Sequence, residues 1–246
     1  MHFSKINQLY IILLLYWNQN NLIVTIHQPN YLPWIGYFNK IVNSDVFVIL
    51  DDVELSKNSV CNRNKIKTSE GWMWLTVPIK IQYGDKINQV RIDNTKTWNQ
   101  KHKKSIYVNY KKTRFFENYW HIFESIYDKN HESLVNLNFE LLRTILHILK
   151  IDVKIVFSSA LNITTSGSNR ILDICSSLKC DTYLSGIGGK DYLNLDNFTQ
   201  NNITVQFQNF QHPVYTQIYG NFIPNMSIID LLFNEGENSK TILSNS

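Results

Sequence analysis

The amino-acid sequence predicts an α/β fold: a mainly parallel sheet in a Rossmann-like three-layer arrangement, with an inserted β-hairpin and a helical middle section. Apolar, β-branched runs alternate with helical patterns near both ends of the chain. The joins between the first of these runs are short, as in a β-loop-α-β unit, whose strands are parallel and whose crossover is right-handed. Between the two alternating parts lie a hairpin signal and a long stretch of helical periodicity.

The first strand-helix-strand unit lies near the start of the chain. The run NLIVTI, residues 21–26, is apolar and β-branched, which indicates a buried strand. Residues 34–44 have helical spacing, and residues 45–52, DVFVILDD, are a second apolar run that ends in acidic residues. We therefore expect residues 22–27 and 45–50 to be parallel and adjacent. The apolar positions of the helix are Ile35, Phe38, Ile41 and Val42.

The later elements follow from the same patterns. The runs VCNRNKIKT and WMWLTVPIK flank SEG, which is typical of a hairpin. In the last predicted helix, Ser227 is the cap and Gly236 the stop. In chain order we predict helices at 98–110, at FFENYWHIFESIYDK and at 131–150, a strand at 152–159, a helix at 169–179, strands at 181–186 and near NITVQFQ, and a final helix at MSIIDLLFNEG.

The chain is predicted to have one α/β domain, residues 22–246, preceded by an extension, residues 1–21. The extension contains LYIILLLYW, residues 9–17, whereas a membrane span needs about 20 apolar residues, so no transmembrane span is predicted. A short membrane-associating or buried helix is the alternative to an unstructured extension. We expect residues 1–21 to pack little against the domain, so that their deletion leaves folding nearly unchanged.

Composition narrows the class of partner. The hydrophobic content of 43% allows a sizeable core, and a net charge of +4 is compatible with an anionic small molecule. Nucleic-acid binding would call for concentrated basic stripes, so no nucleic acid is predicted as a partner. Cys61, Cys175 and Cys180 lack metal-ligand spacing, which favours reduced thiols in a cytoplasmic protein and no metal site.

The stretch IHQPNYLPWIGYF, residues 26–38, predicts a binding loop. It leaves the first strand at the edge of the sheet where ligands of parallel sheets bind. Pro29 and Pro33 stiffen the loop, and Gly36 permits a close approach of backbone or ligand. The alternative is that the aromatic residues are core and that proline and glycine only shape the turn. The candidate substrate-binding residues of this stretch are Gln28, Asn30, Tyr31, Trp34 and Tyr37.

Arg63 and Asn64 are further candidates for substrate binding. The segment Asn62-Arg63-Asn64-Lys65 alternates along a predicted strand, which places Arg63 and Lys65 on one face. Arginine suits the bidentate capture of a carboxylate or phosphate. An exposed basic strand edge is the alternative.

Asp51 and His102 are the candidate catalytic residues. Asp51 and Asp52 end the second predicted strand. Because neighbouring residues on a strand point to opposite faces, a metal site formed by both carboxylates is disfavoured. Asp51 is preferred as a base or orienting acceptor. His102 shares a helical stripe with Trp98, Ile106 and Tyr110, which suits either proton transfer or a structural histidine.

The segment SGIGGK, residues 185–190, follows a predicted strand. It has neither the Walker A spacing nor the G-x-G-x-x-G spacing, but its glycines could form an anion-binding backbone nest. Ser185 has no evident base in the sequence, so we treat Ser185, Gly186 and Tyr192 as hydrogen-bonding, substrate-binding residues.

Several motifs in order resemble the WbqC-like family over residues 23–236: IHQPNYLPWIGYFNKI, SDVFVILDDVE, NRN, W-x-x-K-H, YLSG-x-G-G-x-x-YL and F-x-x-x-x-SIIDLLFN-x-G. This resemblance implies a role in bacterial surface-polysaccharide (O-antigen) biosynthesis and aminoacyl transfer, such as glycyl transfer. A more distant resemblance is to nucleotidylyltransferase-type nucleotide-binding folds. Those folds carry H-x-G-H at the start of the first helix, where this chain has Trp34-Ile35-Gly36-Tyr37 and lacks both histidines. Leu184-Ser185-Gly186 resembles their second, serine-rich motif, which follows a late strand.

The sequence therefore predicts a transferase that moves a small acyl or aminoacyl group onto a sugar or a sugar nucleotide. The alternatives are a non-catalytic nucleotide- or sugar-binding module and a nucleotidyltransferase-like enzyme. The expected small-molecule substrate is a nucleotide, a nucleotide-linked sugar or an activated acyl donor, and the sequence identifies no cofactor. We expect residues 28–37, Arg63, His102 and residues 185–192 to face one cavity.

Overall fold

The computed structural model describes residues 21–246. These residues form two compact units, each built from separate stretches of chain. The first, which we call the sheet unit, contains residues 21–28, 40–52 and 153–210, and the second, the helical unit, contains residues 29–39, 53–152 and 211–246. The packing prediction for residues 1–21 concerns a segment that, but for Asn21, lies outside the described residues.

The regular elements have the following bounds. The strands are β1 (Ile23–His27), β2 (Val46–Ile49), β3 (Arg63–Thr68), β4 (Gly71–Thr76), β5 (Ile79–Lys80), β6 (Arg91–Ile92), β7 (Lys154–Phe157), β8 (Thr182–Ser185) and β9 (Thr204–Phe207). The helices are α1 (Ile35–Val42), α2 (Trp98–Tyr110), α3 (Phe116–Tyr127), α4 (Leu134–Ile148), α5 (Gly167–Ser177), α6 (Leu195–Gln200), α7 (Ile228–Glu235) and α8 (Ser239–Ser244).

The sheet unit contains a five-stranded sheet in the order β7-β2-β1-β8-β9, and every neighbouring pair is parallel. Val24 lies opposite Val46 and His27 opposite Ile49, so the predicted parallel pairing of the first two strands is confirmed. The parallel sheet, flanked by helices, also confirms the α/β fold class. The chain moves outward from β1 to β2 and β7, and then returns to the other side of β1 with β8. The strand order therefore reverses between β1 and β8.

Apolar alternation explains the core of the sheet unit. Val24 and Ile26 of β1, together with Val46 and Val48 of β2, are buried on this core. Helix α5 adds an apolar stripe that includes Ile174, at the spacing of one helical face. Burying β-branched residues of two parallel strands beneath a helix is the usual way in which a βαβ unit is stabilised.

The helical unit contains the predicted hairpin. Strands β3 and β4 pair antiparallel, and the turn between them ends at Gly71, whose φ of 121° lies where residues with a side chain are strained. A second small pair, β5 with β6, was not predicted from the sequence. Helix α7 follows the Ser227 cap, whose side chain accepts from the Ile229 N–H, and is closed by Gly236 at φ 57°, as predicted.

Strand β2 is shorter than the apolar run that predicts it. The run spans residues 45–52, whereas the strand ends at Ile49. Asp51 and Asp52 therefore lie in a loop and need not point to opposite faces. Among the described residues, no helix is both long enough and apolar enough to cross a membrane.

Candidate functional site

The candidate site of the sheet unit lies where the sheet order reverses. His27 and Gln28 stand at the end of β1, and Ser185 and Gly186 at the end of β8. Loops at the carboxyl ends of two strands on either side of such a reversal diverge, which leaves a crevice that ligands use in open parallel sheets. The sequence predicted Gln28, Ser185 and Gly186 as binding residues, and all three are at this edge.

Lys40, near the end of α1, also belongs to this edge. Its side chain is buried, and Nζ donates one long hydrogen bond, 3.4 Å, to the carbonyl oxygen of Ile26 in β1. A methyl group built on Gly186 would lie 3.9 Å from Nζ, so the ammonium group is close to the end of β8 as well. Burial lowers the pKa of Lys40 to about 8.

His27 is held in its neutral form beside this lysine. Burial lowers the pKa of His27 to about 3, and the positive charge of Lys40 acts in the same direction. Nδ1 lies 3.1 Å from the carbonyl oxygen of Gln28. Because a carbonyl oxygen can only accept, Nδ1 carries the proton and donates it.

Ser185 and Tyr192, both predicted binding residues, both act on the hydroxyl of Tyr183. Burial raises the pKa of Tyr183, Tyr192 acts in the same direction, and Ser185 opposes the shift. The hydroxyl of Ser185 also donates to the carbonyl oxygen of Gly186 at 3.0 Å. A Cβ at Gly189 would collide with Ser185 Oγ, so the glycine lets the turn after β8 close over the serine.

Asp51 lies at the end of β2 and is occupied by hydrogen bonds. Its carboxylate accepts from the Ser159 N–H at 3.0 Å and from the Ser159 hydroxyl at 2.7 Å. Asp52 forms an ion pair with Arg170, and both carboxylates contact the hydroxyl of Ser158. The two acids therefore converge on one serine, because β2 ends before them. The catalytic role of Asp51 stays a prediction.

In the helical unit, Tyr31 and His102 are in contact. The Tyr31 hydroxyl lies 2.8 Å from His102 Nδ1 and also makes a hydrogen bond with the hydroxyl of Tyr127. Trp98 packs edge-on against the imidazole with ring centroids 5.4 Å apart. Burial lowers the pKa of His102 to about 4 and outweighs a hydrogen bond with the Thr76 backbone. His102 is therefore neutral at pH 7.

The rest of the 28–37 loop is held by amide side chains. Asn64, a predicted binding residue, donates to the carbonyl oxygen of Leu32 at 2.6 Å. Asn138 of α4 donates to the carbonyl oxygens of Pro29, at 2.8 Å, and Cys61, at 2.7 Å. Buried carbonyl groups need such donors, so these asparagines fix the path of the loop. Asn30, Tyr31 and Tyr37 are buried, which agrees with the alternative that loop aromatics contribute to the core.

Trp34 lies over Gly36, and its ring stacks with His212 at a centroid distance of 6.4 Å. A Cβ at Gly36 would come within 2.8 Å of three atoms of the indole ring. The close approach that Gly36 permits is therefore that of Trp34.

The substitution Gly36→Ala is expected to displace the Trp34 indole and to lower the free energy of unfolding by about 1–3 kcal/mol, the usual cost of overpacking. Urea unfolding and the indole N–H resonance of Trp34 measure the two effects. Gly188→Ala is the matched control, since a Cβ at Gly188 has open space around it. Unchanged stability and an unchanged Trp34 resonance would contradict the packing role of Gly36.

Arg63 lies on the hairpin of the helical unit. Its guanidinium stacks 4.5 Å from the centroid of Trp74, while Lys65 lies over Trp72 at 4.7 Å, so the two cations share one face, as predicted. Nη2 donates to the carbonyl oxygen of Asn58 at 3.0 Å, and Arg63 lines a cavity of about 580 Å³. Neither Tyr31 nor His102 lines that cavity. That residues 28–37, Arg63, His102 and residues 185–192 face one cavity stays a prediction.

The sequence did not single out Lys40 or Asn138. Lys40 is the one charged residue of α1, but a lysine in an amphipathic helix is usually solvated. Asn138 stands in an apolar helical stripe, where its amide has no local reason to be buried. Within residues 21–246, no group of three or more His, Cys, Asp or Glu side chains could hold a metal ion.

The sequence profile of the WbqC-like protein family matches residues 28–242. The chain belongs to the WbqC-like protein family. It is 34% identical over 217 residues to the uncharacterized protein Rv1507c of Mycobacterium tuberculosis (strain ATCC 25618 / H37Rv), which spans 87% of this chain and 94% of that protein. No solved structure matches the chain.

Proposed function

We propose that this WbqC-like protein is a transferase that binds a nucleotide or nucleotide-linked sugar at the carboxyl edge between β1 and β8. The proposal includes the transfer of a small acyl or aminoacyl group, such as glycyl, onto the sugar during assembly of a bacterial surface polysaccharide. The observation that carries it is the reversal of strand order at β1 and β8 in an open parallel sheet. Sheets of this order bind nucleotides in the crevice at that position.

The residues at the edge suit such a ligand. Gln28 offers an amide and Ser185 a hydroxyl. In the transfer step an amine or hydroxyl of the acceptor would attack the activated carbonyl carbon, give its proton to a base and expel the leaving group of the donor. His102 and Asp51 are the candidates for that base, and Arg63 for the capture of an anionic group.

A non-catalytic binding module is the second candidate, and one observation favours it. The side chains of both candidate bases already take part in internal hydrogen bonds: Asp51 with Ser159, and His102 with Tyr31. A base with a pKa of about 4, such as His102, is also weak at neutral pH. A nucleotidyltransferase-like enzyme is the third reading, which the lack of H-x-G-H histidines disfavours.

Incubation with sugar nucleotides, aminoacyl donors and ATP, followed by mass spectrometry, is expected to yield a sugar nucleotide whose mass is increased by one acyl or aminoacyl group. Arg63→Ala is expected to weaken ligand binding, and His102→Ala to keep binding while slowing turnover by about 10²- to 10⁴-fold.

Circular dichroism of each variant is the control for folding, because His102 is buried. Retention of a ligand without a product from any donor would contradict the transferase and favour the binding module. Normal folding and full turnover in both variants would show that neither residue carries the chemistry.

A further inference from the structure

We propose that Lys40 is the receptor for a phosphoryl group of the ligand that binds between β1 and β8. The inference rests on the proposed function for the class of ligand, a nucleotide or nucleotide-linked sugar. It adds the residue that holds the charge of that ligand, and it assigns a purpose to a side chain that has no counter-ion within residues 21–246.

The first step is the lack of partners for the ammonium group. Lys40 is only 4% exposed, and Nζ has one hydrogen-bond acceptor among the described residues, the Ile26 carbonyl at 3.4 Å. Within residues 21–246 no carboxylate forms an ion pair with it. An ammonium group has three donors, and burying it without an opposite charge destabilises a fold.

Lys67, in the helical unit, shows how this chain treats a buried lysine that serves the fold. It is 1% exposed, but Nζ donates to Gln217 Oε1 at 2.9 Å and to the carbonyl oxygen of Asn221 at 2.6 Å. The negative charge of Asp230 also acts on it. Among the described residues Lys40 has neither a second acceptor nor an acidic partner, so its charge is not explained by the fold.

The second step is the place of Lys40. Its Nζ lies at the ends of β1 and β8, where the strand order reverses. It is close to the Ile26 carbonyl of β1 and to Gly186 after β8. Gly186 has no side chain to cover Nζ on that side, and a Cβ built there would lie 3.9 Å from Nζ. His27 is neutral at this edge, so it adds no second positive charge.

The third step is the type of ligand group. A lysine is a compact point charge that binds tetrahedral phosphate well, whereas bidentate recognition of a planar carboxylate favours arginine. The crevice at a reversal of strand order is also where phosphate-bearing cofactors bind in doubly wound sheets. Burial lowers the pKa of Lys40 to about 8, so the amine is largely charged at pH 7 and an anion would stabilise that form further.

The test compares Lys40→Met with Lys179→Met in the full chain. Methionine keeps the length of the side chain and removes its charge. Lys179 is exposed and precedes β8, at the opposite edge of the same sheet, so this control removes an equal charge away from the site. Binding of inorganic pyrophosphate, ATP and UDP-glucose is measured by calorimetry, and the melting temperature is measured without ligand.

We expect Lys40→Met to weaken binding of the phosphorylated probes at least tenfold, while Lys179→Met leaves it unchanged. Without ligand, the melting temperature of Lys40→Met should equal or exceed that of the wild type, because an unpaired buried charge is removed. Pyrophosphate binding alone would identify the phosphoryl group as the whole recognition element, and tighter binding of ATP or UDP-glucose would add the nucleoside. Either result supports the proposal.

Undiminished probe binding by Lys40→Met would overturn it, as would a wild-type protein that binds none of the three probes. If Lys40→Met does not fold, acetylation of the wild-type protein decides: pyrophosphate must protect Lys40 and not Lys179, and lack of protection overturns the proposal. This outcome differs from a failure of the proposed transferase function. In that case binding would still depend on Lys40, but no product would form.

Discussion

Replacing Asp230 with alanine is expected to lower the free energy of unfolding by about 3–5 kcal/mol, the range observed when one partner of a buried charged network is removed. Asp230 is fully buried at the start of α7. Oδ1 accepts from the Tyr110 hydroxyl at 2.9 Å, and Oδ2 accepts from the Tyr215 hydroxyl and the Gln217 amide, both at 2.7 Å.

The loss of stability arises from buried hydrogen-bond donors that the substitution leaves without an acceptor. Without the carboxylate, the hydroxyl groups of Tyr110 and Tyr215 and the amide of Gln217 lose an acceptor in a buried place, at about 1–3 kcal/mol for each donor that finds no other. Gln217 also accepts from Lys67, so the loss reaches a buried cation. Burial raises the pKa of Asp230, although the donors and Lys67 oppose this effect, which shows how strongly its site is desolvated.

Urea unfolding at pH 7 measures the effect of Asp230→Ala. Asp152→Ala is the matched control, because Asp152 is exposed and its loss should change the free energy of unfolding by less than about 0.5 kcal/mol. An Asp230→Ala protein that is as stable as this control would mean that water or other side chains satisfy the tyrosines. The network would then not be a determinant of the fold.

The Asp230 network also shows what the sequence could and could not predict. SIIDLLFN predicts a helix from apolar periodicity, and that helix is present as α7. Its partners Tyr110 and Tyr215 belong to other segments, the first 120 residues away. Periodicity and capping act over a few residues, so they predict elements. The choice of a distant hydrogen-bond partner depends on the packing of those elements.

The same distinction applies to the candidate site. The loop after β1, the hairpin of Arg63 and the stripe of His102 could be placed from local patterns, whereas the hydrogen bond between Tyr31 and His102 was not predicted. Lys40 was missed, because a lysine in an amphipathic helix is usually solvated and only the packing of the chain shows that this one is buried. The two-residue strands β5 and β6 are too short for alternation to reveal.

Lowering the pH from 7 to 5 is expected to reduce the free energy of unfolding by about 2 kcal/mol for each of His27 and His102. Their folded pKa values are about 3 and about 4, against an ordinary value of 6.5. A depressed folded pKa means that the unfolded chain binds protons first. The stability contributed by the neutral rings is therefore complete above pH 6.5 and is lost progressively as the pH falls toward the folded values.

The two histidines have the same cause for this effect but different neighbours. Protonation of His102 would place a positive charge among Trp98, Tyr31 and Tyr127, and Nδ1 could no longer accept from Tyr31. Protonation of His27 would place a second positive charge beside Lys40. Both changes oppose folding at acidic pH.

The contribution of His102 to this loss of stability is isolated by urea unfolding at pH 7 and pH 5. The proteins compared are the wild type, His102→Gln and His121→Gln. His102→Gln is expected to be less stable at both pH values, but to lose about 2 kcal/mol less than the wild type between them. His121 is exposed, so His121→Gln is the control and should keep the wild-type loss. Asp230, whose folded pKa is raised, opposes the loss in all three proteins, so its contribution cancels in the comparison. An equal loss in His102→Gln and the wild type would mean that His102 is solvated enough to be protonated in the folded state, and a buried structural histidine would then be the wrong description of this residue.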